Sequence, residues 1–331
     1  MLDGIVKTKL LKLFLILEGS VNMKVLITGG AGFIGSHVAE HFFKNQYDVY
    51  IVDNLSTGYR KNIPFIDDNH FFNIDITDYK KINDMLMLHN FDIIVHLAAM
   101  VSVVETIKKP AESNSVNVDA VLNILNTCKQ NKNLKKFVFA SSAAVYGNEQ
   151  TLPKSSESRI QPESPYAIQK YSGEQYVKVY NNLYDLPTTA LRFFNVYGPK
   201  QDPKSQYSGV LSIIKNAYEN DLIFNFYGDG SQTRDFIYVK DIVQAIDIVV
   251  NNIECNGGIY NVGTGIPTDL NTVFNTFGEI FNKTINTKYY DFRKGDVKHS
   301  YADISKLNRL GFKPQYDILR GLNEYIEYNK S

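Results

Sequence analysis

The chain has 331 residues, 44% hydrophobic and 21% charged, with 35 basic side chains balanced by 35 acidic ones. That length suits one large core or two lobes sharing one, and zero net charge excludes the basic excess of a nucleic-acid or anionic-membrane binder. Two cysteines, Cys128 and Cys255, stand in no metal-ligand spacing and suggest no disulfide framework, so a reducing, cytoplasmic setting without a metal site is expected.

In chain order, residues 10–17 form a short apolar stretch behind a basic start, too short to span a bilayer and interrupted by Lys12. Its small-residue cleavage pattern is poor for a secretory signal. Met23 is the better start, because Met23-Lys24-Val25-Leu26-Ile27-Thr28 opens a buried strand directly. Residues 1–22 then read as a start-site artefact or a dispensable extension. Strands are expected at 24–28, 49–53, 70–74, 92–96, 136–140 and 188–192, and helices at 32–43, 79–88, 116–129 and 166–183. Apolar runs alternating with helical periods predict βαβ units, hence an α/β fold with a doubly wound parallel sheet of the Rossmann type. That domain is expected to run over 23–195. Beyond it the pattern loosens into loops and short helices, and residues 196–331 are expected to form mainly a smaller C-terminal substrate-binding lobe.

The first strand runs into Gly29-Gly30-Ala31-Gly32-Phe33-Ile34-Gly35, which opens a helix. The spacing of Gly29, Gly32 and Gly35 provides a tight turn, a close backbone approach to a pyrophosphate at the helix N-terminus, and close helix–strand packing. Asp53, at the end of the second strand with Asn54 behind it, is placed to hydrogen-bond ribose hydroxyls and to repel a 2′-phosphate. Arg60 is the nearest basic residue after it, so NAD is favoured over NADP. Asp75, followed by Ile76, could meet the adenine amine. Leu97-Ala98-Ala99 ends the fourth strand with small residues that let backbone approach the dinucleotide, whereas His96 reads as a core histidine.

Chemistry gathers further on. The fifth strand ends in Ser141-Ser142, at the mouth of the cleft where ligands of open α/β sheets sit. Tyr166 and Lys170 share one helix face, and a nearby ammonium should lower the phenol pKa toward neutrality, making a base for a sugar hydroxyl. The pair alone is weak, since Tyr290 and Lys294 repeat the spacing by chance. Together with the glycine loop, Asp53 and Ser142 it forms a set for hydride transfer at a carbinol carbon.

These residues resemble the extended short-chain dehydrogenase/reductases, most closely the UDP-hexose 4-epimerases and, within them, those acting on UDP-N-acetylglucosamine. The resemblance runs from Met23 onward through Arg192-Phe193-Phe194-Asn195, Gly228-Asp229-Gly230-Ser231-Gln232-Thr233-Arg234-Asp235 and Arg293-Lys294-Gly295-Asp296. It implies Tyr166 as the base, Lys170 on the nicotinamide ribose, and Ser142 on the reacting hydroxyl. It also implies Asn195, Arg234 and Arg293 at the nucleotide diphosphate and Asp296 at the uridine ribose. Dehydratases of the family carry Asp-Glu at the positions of Ala143 and Ala144, and decarboxylases a glutamate near Ala144, so both activities are disfavoured. Ser300 stands where glucose-restricted epimerases often carry tyrosine. With Ser102 and the segment around Val210, it suggests room for an acetamido group. A UDP-uronate 4-epimerase is the alternative, as is a non-catalytic NAD sensor, although both Tyr166 and Lys170 are retained. The partners expected are a UDP-sugar and a second copy of the chain. The helices near 116–129 and 166–183 resemble those of a family dimer interface, while the stripe Tyr176, Val177, Val179, Tyr180 and Leu183 could equally face the protein's own sheet.

Overall fold

The computed structural model describes residues 22–201, 209–292 and 297–328. The predicted strand β1 spans Lys24–Thr28, followed by α1 at Phe33–Lys44 and β2 at Asp48–Val52. Next come β3 at Phe71–Phe72, α2 at Tyr79–His89 and β4 at Ile93–His96. A short pair, α3 at Val103–Lys108 and α4 at Pro110–Asn114, leads through a π-helical turn over Ser115–Asp119 into α5 at Ala120–Cys128. Strand β5 covers Lys136–Ser142, α6 Pro165–Tyr184 and β6 Thr188–Phe193. Two expectations were too generous. The third strand keeps two residues, and the helix expected over 116–129 is divided by the π turn.

All strands of the main sheet run parallel, in the order β3-β2-β1-β4-β5-β6 with a seventh, β11 at Ile259–Val262, beside β6. Both faces are covered, which is why the strands read as continuous apolar runs. Val25 and Ile27 join the core on one face, with Val38 and Phe42 of α1. Leu26 turns to the opposite face with Ile82, Leu86, Ile124 and Val177. The order reverses between β1 and β4, the topological switch point where such sheets take ligands.

Seen in chain order, the segment after 195 begins with β7 at Asn195–Tyr197, α7 at Val210–Glu219 and β8 at Phe224–Tyr227. It continues with β9 at Thr233–Arg234, β10 at Phe236–Tyr238 and α8 at Val239–Val250. After β11 come β12 at Thr268–Asp269, α9 at Leu270–Phe281, β13 at Thr287–Tyr290 and β14 at His299–Ser300. The chain closes with α10 at Ser305–Asn308 and α11 at Ile318–Glu327. A third core of Leu211, Ile214, Phe224, Phe226, Phe277 and Leu322 fills this smaller lobe. Not all of the segment stays there: α8 packs on α1, and β11 completes the large sheet. The seventh strand was not foreseen, because Gly257 and Gly258 precede a run containing polar Asn261. Asn261 is buried and satisfied instead, accepting from Tyr146 Oη at 2.6 Å and donating to Lys154 O at 2.6 Å.

Candidate active site

The glycine loop has the geometry its spacing predicts. Gly29 has a φ of +70°, and a Cβ there would lie 2.8 Å from Ala98 N. A Cβ at Gly35 would lie 2.1 Å from Gly29 O, so helix and loop touch backbone to backbone. A Cβ at Gly32 would meet one atom only, Gly29 O at 3.2 Å, and the space beside it is otherwise open. Gly32 is also the N-cap of α1 without a side-chain cap, which leaves the first-turn amides of Phe33 and Ile34 to an anion. This open cradle fits a dinucleotide pyrophosphate.

Asp53 is buried at the adjoining end of β2. Its Oδ2 accepts from Ala31 N at 2.9 Å and its Oδ1 from Leu55 N at 2.8 Å. Burial raises its carboxyl pKa against the pull of those amides. The Gly32 amide bonds the carboxylate as well, which leaves one of its four acceptor positions for a ribose hydroxyl. Arg60 is turned elsewhere, donating to Ile63 O at 2.7 Å and Asp68 at 3.2 Å, which favours NAD over its 2′-phosphate form. Asn54 Nδ2 donates to Asp75 Oδ2 at 2.7 Å. Burial pushes Asp75 up, but Thr77 and Asn54 hold its carboxyl below the usual range. Ile76 is buried beside it, and Asp75 lies past β3 rather than at its end. Leu97 N donates to Thr28 O at 3.1 Å and Ala98 N to Thr28 Oγ1 at 3.2 Å, fixing the Leu97–Ala99 turn against β1. His96 is a buried core residue held by Thr28 Oγ1 at 2.9 Å, its pKa lowered to about 3 by burial and by Lys170.

Sequence reasoning missed two supports of this loop. A Cβ at Gly58 would lie 2.9 Å from Ala31 C, and Asn62 Nδ2 donates to Ala31 O at 2.9 Å. Their only signal is a glycine and an amide within ten residues of Asp53.

At the end of β5, Ser142 Oγ accepts from Ala144 N at 3.2 Å and caps a 3₁₀ turn over Ala143–Tyr146. Ser164 caps α6, with Pro165 at its first position, so Tyr166 stands in the first turn. Gly173 lets α6 settle on β5, since a Cβ there would meet Phe139 at 2.3 Å. Lys170 is buried, its Nζ 2.8 Å from Ala140 O and 5.9 Å from the Tyr166 ring centre. Tyr290, by contrast, lies on strand β13, so the decoy spacing forms no helix face.

One expectation is reversed. The Tyr166 hydroxyl is pushed up, not down: burial raises its pKa, and a hydrogen bond with Ser142 opposes the rise only in part. Lys170 aims at the Ala140 carbonyl, and its own pKa is lowered to about 8 by burial, with Glu174 acting against that shift. Glu174, one turn on from Lys170, is itself buried and clamped by Arg192 at 2.8 and 2.7 Å and by Ser141 Oγ. A glutamate on the core face of α6 was the one sequence signal of that pair.

A cavity of about 640 Å³ in the smaller lobe is lined by Asn195, Val210 and Arg234 together with Asn216, Asn225, Tyr227 and Phe236. Three expected substrate residues thus share one wall. Ser300 pairs with Arg234 in parallel register on β14 and β9. Two residues on, Ala302 packs with Val145 and Tyr146, which closely follow Ser142. Ser102 is buried, its hydroxyl accepting from Glu105 N at 2.9 Å as the cap of α3. Arg293 and Asp296 lie outside the described residues, as does nearly all of 1–22.

A family model described as the NAD dependent epimerase/dehydratase family matches residues 25–263. The chain belongs to that family. Within the family, UDP-glucose 4-epimerase of Mycolicibacterium smegmatis is 32% identical over 316 residues, covering 93% of this chain and 100% of the relative. A solved UDP-N-acetylglucosamine 4-epimerase from Methanobrevibacter ruminantium, in complex with UDP-N-acetylmuramic acid, is 38% identical with a TM-score of 0.87, over 93% of this chain and 98% of that one. A UDP-glucuronic acid 4-epimerase from Bacillus cereus, with UDP-glucuronic acid and NAD, is 29% identical with a TM-score of 0.82, over 93% and 99%. As an extended short-chain dehydrogenase/reductase, the chain matches these epimerases over nearly its whole described length. Among the described residues, no helix is long and apolar enough to cross a membrane.

Proposed function

We propose that the chain interconverts UDP-hexoses at carbon 4, with UDP-N-acetylglucosamine and UDP-N-acetylgalactosamine as its principal pair and UDP-glucose and UDP-galactose as a second. The observation that carries the reading is the meeting of Ser142, Tyr166 and Lys170 at the C-terminal edge of β5, with an open glycine cradle on the same edge of the sheet. Gly29, Gly32, Phe33, Ile34 and Gly35 would hold the pyrophosphate of NAD, Asp53 and Asn54 the adenosine ribose, and Asp75 and Ile76 the adenine. Leu97, Ala98 and Ala99 would line the dinucleotide, and Lys170 and Tyr166 would meet the nicotinamide ribose. Bound NAD supplies a reversible hydride acceptor for the sugar carbon.

Tyr166 Oη takes the proton of the 4-hydroxyl, and the Ser142 hydroxyl holds the same oxygen. Lys170 keeps a cation within reach of the phenolate. Arg234 and Asn195, with Arg293 and Asp296 from outside the described residues, retain the nucleotide diphosphate while the 4-keto sugar turns over. Tyr166 then returns the proton, and configuration at carbon 4 is inverted with no net oxidation. Ala143 and Ala144 provide no acid to expel water or assist decarboxylation. Ser300, beside Arg234, leaves room for an acetamido group, and Ser102 and Val210 complete the proposed sugar wall. Turnover of a panel of UDP-sugars with and without N-acetyl and carboxylate groups tests the assignment. Activity confined to the uronate pair would transfer it to the glucuronate reading, and bound NAD without turnover would leave a sensor.

A homodimer accompanies this reading. On α6, Val177 and Tyr180 face the sheet, while Ile168, Val179 and Leu183 are exposed, as are Val103, Val104 and Ile107 of the adjoining α3. The apolar residues of α5 are largely turned inward, so α3 rather than α5 would join α6 in the interface. Sedimentation of the full chain at one protomer's mass would sink it.

A further inference from the structure

Asp235 is fully buried at the junction of β9 and β10. All four of its acceptor positions are used. Oδ1 accepts from Thr264 N and Thr264 Oγ1, both at 2.7 Å, and Oδ2 from Gly265 N at 2.9 Å and Ala302 N at 3.0 Å. These donors come from two separate places, the loop after β11 and the segment after β14. Gly263 permits the approach, since a Cβ there would lie 2.5 Å from Oδ2. The main chain of Asp235 reaches a third segment: its carbonyl accepts from Asn195 N at 3.0 Å and Asn195 Nδ2 at 3.2 Å.

Two of the three segments held this way carry a residue of the proposed sugar-nucleotide site, while the loop at Thr264 carries none and buttresses the carboxylate. Asn195 is held directly, Arg234 is the preceding residue, and Ser300 lies two positions before Ala302 and opposite Arg234 in the sheet. The strands involved are short, β9 and β14 having two residues each, so their own ladder cannot set the wall rigidly. We propose that Asp235 is the positioning residue of the sugar-nucleotide site, a buried acceptor that draws three segments together and so sets the spacing of Asn195, Arg234 and Ser300. A carboxylate is needed because only it offers four acceptor sites and no donor. Burial raises its pKa and the surrounding amides and hydroxyl pull it back, the balance expected of a charge held by neutral dipoles. This inference rests on the UDP-sugar reading above.

The test uses Asp235→Asn in the full chain. The amide keeps the shape but turns an NH₂ toward two of the donors. UDP binding by titration calorimetry should weaken by about tenfold or more, and KM for the UDP-sugar should rise in step, because buried donors lose their acceptor. NAD bound per chain and kcat should change little. A merely structural loss would do the opposite, lowering NAD content and turnover per chain at an unchanged KM, and would overturn the proposal. So would an unaltered UDP affinity in the variant. Thr264→Val removes one hydroxyl donor and leaves the carboxylate; it should weaken UDP by about threefold, and if Asp235→Asn does not fold, an unchanged affinity in Thr264→Val decides against the proposal. Failure of the unsubstituted protein to bind UDP would instead sink the UDP-sugar reading itself.

Discussion

The proposed cofactor half and the proposed sugar half of the cleft are built in opposite ways. The first centres on one stretch, β1 to the end of β2, in which Gly29 and Gly35 meet backbone to backbone and the Asp53 carboxylate takes the Ala31 amide. The second gathers Asn195, Val210, Arg234 and Ser300 from four segments, and those of Asn195, Arg234 and Ser300 meet at Asp235. A site built locally is fixed by spacing, whereas one built from distant segments depends on whatever holds those segments together. Lesions in the first half should therefore change cofactor retention, and lesions in the second should change substrate affinity or choice.

Tyr166 stands where the halves meet and should show the largest effect. Tyr166→Phe is expected to lower turnover by about 10²–10⁴-fold, the range for a lost general base, while NAD remains bound. Steady-state rates and cofactor content of the purified variant check this, and full activity would remove Tyr166 from the chemistry. Next, Gly35→Ala forces a methyl toward Gly29 O, at 2.1 Å in the present backbone. Overpacking of this kind costs about 1–3 kcal/mol. Bound NAD should fall with stability, measured by absorbance of the extracted dinucleotide and by thermal melting.

In the sugar half, Ser300→Tyr should reduce turnover of acetamido sugars by about 10- to 200-fold, the reach of a single steric contact, with UDP-glucose turnover retained. Equal turnover of both classes would make Ser300 an ordinary loop serine. The smallest effect lies at the outer edge of the cofactor half. His70 joins Asp67 at 2.8 Å and Asp48 at 2.9 Å. Burial alone would lower its pKa, but the two carboxylates raise it overall. The contribution is therefore complete below the unfolded value near 6.5 and is lost as pH rises through the higher folded value. His70→Gln should destabilise more near pH ~6 than near pH ~8.5, by under about 1 kcal/mol for a solvent-facing pair. Denaturant titration at both values checks the sign.

Much of the cofactor half was legible because its signals are local. Glycine spacing, a strand before it and an acid at the end of the next strand each constrain backbone within about thirty residues, the length of one βαβ unit. Ser142 and Tyr166 were legible for a related reason, since parallel strands deliver their C-terminal ends to one edge. The strand Ile259–Val262 was not, because its buried Asn261 looks like a loop residue until Tyr146 and Lys154 satisfy it. Nor was Asp235, an acid beside an arginine in a motif already assigned to phosphate binding. Its donors lie about thirty and seventy residues away, and no spacing rule connects them.

By itself the sequence determined the alternation of strands and helices, the glycine cradle and the residue types available for proton transfer, because these follow from periodicity and backbone sterics. Tertiary structure decided the rest. It turned Lys170 toward Ala140, so that burial rather than a neighbouring charge governs the Tyr166 hydroxyl. It also gathered the segments of Asn195, Arg234 and Ser300 around one buried residue, Asp235. Both outcomes depend on desolvation and long-range hydrogen bonding, which exist only once distant segments have packed.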